Sequence, residues 1–85
     1  MSQSKYNQAK FNAEQILQTA LQVAVPLSMK PDKITDDILK SIAIIGNASE
    51  QAIMYLQGQG FSQKQSREAV RKIIAKIAPK IIMQG

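Results

Sequence analysis

At 85 residues the chain is one domain's worth of polypeptide, with room for a single modest core. It contains no Cys and no His, which removes disulfides and the usual structural zinc and iron–sulfur ligand sets. The net charge of +5 is unevenly spread: residues 1–60 hold five Lys against five acidic residues, whereas 61–85 hold six basic residues against Glu68 alone. Such asymmetry points to a partner of opposite sign or to a strongly solvated face.

The first segment is expected to be a helix over 4–25. Tyr6, Ala9, Ala13, Ile16, Leu17, Ala20, Val23 and Ala24 fall on one side of a wheel at 100° per residue. Half of that stripe is alanine, so a neighbouring helix can approach closely. Phe11 falls on the opposite face among Gln, Lys and Asn, and the helix has two usable sides; Phe11, Ala13 and Leu17 are therefore candidates for an oligomer contact, and a homodimer is one form the protein could take. Pro26 should end this helix, because it offers no amide hydrogen and disfavours helical backbone at Val25.

A polar connector, Ser28 to Thr35, comes next, punctuated by Pro31. Thr35 can cap a second helix over 35–45, with Asp36 and Asp37 in its first turn where the helix dipole favours negative charge. Gly46-Asn47 suits a left-handed end to that helix. Ser49 would then cap a short third helix over 49–57.

Gln57 to Gly60 is the clearest interruption. After it, Ser62 and Gln65 have the spacing of a capping box, a hydroxyl and an amide that each satisfy an unpaired backbone N–H at a helix start. From 62 to 78 the wheel divides: Ala69, Val70, Ile73, Ile74 and Ile77 on one side, Lys64, Arg67, Arg71, Lys72 and Lys76 on the other. Pro79 should close or kink the helix, and Ile81 and Ile82 in the tail are expected to pack. One all-α domain, 1–85, a small bundle of three to four helices, is the resulting fold class.

Catalytic chemistry finds little here. Asp36 and Asp37 are adjacent and point to different sides of a helix, while Glu14 and Glu50 stand alone among amides. Gly58 and Gly60 lack the spacing of a phosphate loop. No catalytic residue, metal ligand or cofactor is expected, and the chain is read as a non-enzyme. No apolar run is long enough for a membrane span or signal peptide, and the isoleucines are needed in the core, so a cytoplasmic protein without membrane attachment is expected.

Residues 52–73 bear a family resemblance. Ala52, Ile53 and Leu56, then Gly60-Phe61, then Val70, Lys72 and Ile73 resemble the first helical hairpin of the C-terminal domain of RuvA and, more broadly, ubiquitin-associated (UBA) domains. The resemblance implies a UBA-like hairpin over 49–78 in which the glycine permits the reversal, the aromatic plugs a three-helix core, and the module docks other proteins. The loop departs from that pattern, with Gly58 and Gln59 where the family prefers apolar residues.

The functional expectation is a non-catalytic module docking a protein partner with an acidic surface through Phe61, Lys64, Arg67, Arg71, Lys72 and Lys76. The alternative is DNA or RNA binding, with the same basic residues as phosphate contacts. Against it, a helix-turn-helix needs a separate recognition helix, and no aromatic is interleaved with the cations. A homo-oligomeric accessory protein is a second alternative.

Overall fold

A computed structural model describes residues 2–29 and 34–84. Three helices account for nearly all of them: α1 (Ser2–Met29), α2 (Ile34–Gly58) and α3 (Gln63–Gln84). α2 returns antiparallel to α1, and α3 runs back parallel to α1. The register is fixed by three contacts. Asn12 Nδ2 donates to the Tyr55 hydroxyl at 2.7 Å, the Tyr6 and Phe61 rings stack, and Lys76 meets Glu14. The bundle measures 47 × 22 × 15 Å, an elongated shape set by its long helices.

Each core stripe follows the helical repeat. Ala9, Ala13, Leu17, Leu21 and Val25 come from α1, Ala48, Ala52 and Leu56 from α2, and Val70, Ile73, Ile77 and Ile81 from α3. Alanine on both α1 and α2 lets those two backbones come close, while the isoleucines of α3 fill the side left open. Two small polar residues are buried in the same layer and each is satisfied locally. Ser41 Oγ donates to the Ile38 carbonyl at 2.8 Å, and Ser66 Oγ to the Ser62 carbonyl at 2.8 Å.

The α2–α3 corner is built from sequence-local rules. The Phe61 amide donates to the Leu56 carbonyl at 3.1 Å and the Gly60 amide to the Gln57 carbonyl at 3.1 Å, the paired bonds of a Schellman ending. Gly60 takes the left-handed position, φ 102°. Immediately afterwards the Gln65 amide donates to Ser62 Oγ and the Ser62 amide to Gln65 Oε1, both at 3.0 Å, so the capping box forms as the spacing requires.

Several expected boundaries are overturned. The bundle has three helices, not four: α2 passes through Gly46-Asn47 without a break, and Ser49 lies inside it instead of capping a new helix. Thr35 is likewise within α2, which begins at Ile34. α1 continues past Pro26 to Met29, and α3 past Pro79 to Gln84. In each case buried side chains stand beside the breaker: Ala24 and Val25 before Pro26, Ala48 just after Asn47, and Ile77 and Ile81 on either side of Pro79. Continuing the helix keeps those groups in the core, which outweighs the local backbone cost. Part of the expected connector, residues 30–33, lies outside the described residues. The UBA-like hairpin finds no support in this architecture. A reversal does form at Gly60, but between helices of 25 and 22 residues.

Candidate functional site

Two basic strips run along α3. Lys64, Arg67 and Arg71 face away from the bundle around a shallow depression that also includes Gln63 and Glu68. Lys72 and Lys76 stand one helical step nearer to α1. Among the described residues Lys64, Arg67, Arg71 and Lys72 form no ion pair, whereas Lys76 Nζ lies 3.0 Å from Glu14 Oε1. Phosphate contact by Lys76 would have to compete with that carboxylate.

Between α1 and α3 lies an open groove of about 530 Å³. Phe11, Ala69 and Ile73 supply its apolar surface, and Lys10, Lys72 and Lys76 surround that surface together with Asn7 and Glu14. Phe11 is 55% exposed, so its ring stands out from α1 into solvent instead of closing the core. Lys10 Nζ is 5.0 Å from the centre of the Tyr6 ring, within cation–π range, which draws its stem along α1.

No family model, curated protein or solved structure matches this chain.

Of the residues expected to meet a partner, Lys64, Arg67, Arg71, Lys72 and Lys76 are all exposed. Phe61 is not: it is buried in the core at 6% exposure and stacked on Tyr6, with ring centroids 4.3 Å apart and an interplanar angle of 10°. Its position after the Schellman ending directs it inward, so the Gly60-Phe61 turn offers no ring to a partner. The expected oligomer contact divides in the same way. Ala13 and Leu17 are 0% and 1% exposed and belong to the packing inside one chain, which leaves Phe11 alone on the surface. Lys10 joins the site without having stood out in the sequence. Its signal there is its position one residue before Phe11 and four before Glu14, which sets all three on neighbouring parts of one helix face.

The arrangement offers cations, amides and an exposed ring. Among the described residues there is no cluster of three His, Cys, Asp or Glu side chains that could hold a metal ion, and no helix is long and apolar enough to cross a membrane.

Proposed function

We propose that this protein is a non-catalytic docking module that takes an acidic, amphipathic segment of another protein into the groove between α1 and α3. The observation that carries this reading is Phe11, a half-exposed ring inside a groove bordered by Lys10, Lys72 and Lys76. An apolar side chain of the partner would bury against Phe11, Ala69 and Ile73, while its carboxylates would meet the lysines. Hydrophobic contact supplies most of the affinity in such an arrangement, and the charges set orientation and association rate. Lys64, Arg67 and Arg71 extend the positive field along α3 and steer the same partner.

Nucleic acid is the competing ligand, using the cations as phosphate contacts. Glu14 opposes either ligand alike, since it places a negative charge in the groove and occupies Lys76; what favours the peptide is Phe11, an exposed apolar ring that phosphate contacts would not use.

The two readings separate by titration at ~100 mM salt, using a labelled acidic amphipathic peptide, a DNA duplex and a single strand. Docking predicts that the peptide binds and that Phe11→Ala weakens it by about tenfold, the loss expected for one interface anchor. Tighter binding of either nucleic acid, unaffected by Phe11→Ala and falling by about 0.9 in log K per duplex phosphate contact per unit of log salt, would overturn it.

A further inference from the structure

Resting on that docking reading, we infer that the partner segment is an acidic α-helix of about three turns, which lies along the seam between α1 and α3 and completes a four-helix bundle. Both walls of the groove are helical ridges. α1 lines it at positions 7, 10, 11 and 14 and α3 at 69, 72, 73 and 76, with the same steps of three and four. A further helix seats between two such ridges by interdigitation. The seam continues beyond Glu14 as a smaller depression of about 150 Å³ that includes Gln18 and Lys80. From Asn7 to Gln18 the rise along α1 is about 16 Å, or about three turns of a docked helix.

Other conformations lack what they need here. An extended segment gains its main-chain hydrogen bonds from an exposed sheet edge, and the described residues contain no strand. A polyproline segment docks on a row of aromatic rings, whereas among the described residues the groove holds Phe11 alone. A helix satisfies its own backbone and asks the groove only for side-chain contacts.

Charge fixes where the acids of that helix fall. α1 and α3 run parallel with Glu14 level with Lys76, which puts Phe11 level with Ile73 and Lys10 level with Lys72. Lys10 and Lys72 meet no carboxylate among the described residues, and Lys10 leans on the Tyr6 ring instead. On the other side of the Phe11–Ile73 level, Glu14 already neutralises Lys76 and leaves Lys80 as the net charge of that half. The docked helix therefore sets an apolar side chain against Phe11 and Ile73 and places carboxylates within a turn of it, at the Lys10–Lys72 level.

The probe is a labelled peptide of ~16 residues with leucines at i and i+4 and glutamates within a turn of them, a length at which an isolated helix is marginal in water. Mixing it with the full chain should raise the helical circular dichroism above the sum of the two components. Proline placed mid-peptide on the side away from the leucines should weaken binding at least tenfold, because the helix is broken and no contact is removed. Lys72→Glu should weaken binding several times more than Lys64→Glu, since both change the charge equally and only Lys72 borders the groove. A peptide that binds and responds to Phe11→Ala, yet stays unstructured or tolerates the proline, overturns the helix and leaves the docking reading standing. Equal losses from the two lysine variants overturn the placement of the carboxylates. Failure to bind at ~1 mM peptide, or binding that Phe11→Ala leaves unchanged, overturns the docking reading and the helix with it.

Discussion

Gly58 and Gly60 sit two residues apart and ask different things of the backbone. Gly60 holds φ 102°, where a Cβ is strained whatever space surrounds it, so Gly60→Ala should lower stability by about 1–2 kcal/mol. Gly58 lies in the last turn of α2, where an added Cβ would meet nothing within 4 Å, and Gly58→Ala should raise stability by about 0.5–1 kcal/mol. Urea midpoints of the two variants moving in the same direction would contradict this corner geometry. One residue beyond Gly60, Phe61→Ala removes a buried ring and its stack on Tyr6, and should cost about 3–5 kcal/mol in the same assay. The capping box of Ser62 and Gln65 is legible in the sequence because both partners lie within one turn. The Tyr6–Phe61 stack is not, because it depends on where α1 falls against the start of α3. That is why Phe61 reads as a docking residue from its turn and as a core residue from its environment.

At the level of the helices, periodicity reveals the fold class and the buried faces, and the breakers suggest the wrong boundaries. Pro26, Gly46 and Pro79 each carry a real local cost, but the sequence does not display the packing that offsets it. Pro79 makes the point testable. It is exposed within α3 and denies the helix one backbone hydrogen bond, while Ile77 and Ile81 on either side stay buried. Pro79→Ala should therefore stabilise the protein by about 1–3 kcal/mol without changing its helix content by circular dichroism, since the helix already continues to Gln84. A gain in helical signal would mean that α3 ends near the proline in solution. The converse holds where α1 meets α2. Ala13 and Ala52 are both 0% exposed, and Ala13→Leu should cost about 1–3 kcal/mol in thermal or urea unfolding by forcing the helices apart. The site shows the same division. Its α3 half, Lys64 to Lys76, follows from one helix wheel, whereas its α1 half, Lys10 and Phe11, requires knowing which face of α1 borders α3.

For the molecule as a whole, the cations concentrated on α3 act on stability and on binding with opposite signs. Arg67 and Arg71, and likewise Lys72 and Lys76, are like charges four residues apart on one helix, a spacing that costs about 0.2–0.5 kcal/mol per pair. Against them stands the ion pair of Lys76 with Glu14, whose lysine side chain is 58% exposed and accordingly well screened. With a net charge of +5, repulsion outweighs attraction within the chain, and salt should relieve it. Raising sodium chloride from ~20 to ~300 mM, which shortens the screening length from about 20 Å to about 6 Å, should raise the melting temperature of the protein alone. The same change should weaken an acidic partner, because it screens the attraction between α3 and the partner's carboxylates. Measuring both on one preparation separates the two roles of the cluster. A melting temperature that falls with salt would show that attractive pairs dominate α3, leaving Lys64, Arg67, Arg71 and Lys72 committed to the fold and not to a partner.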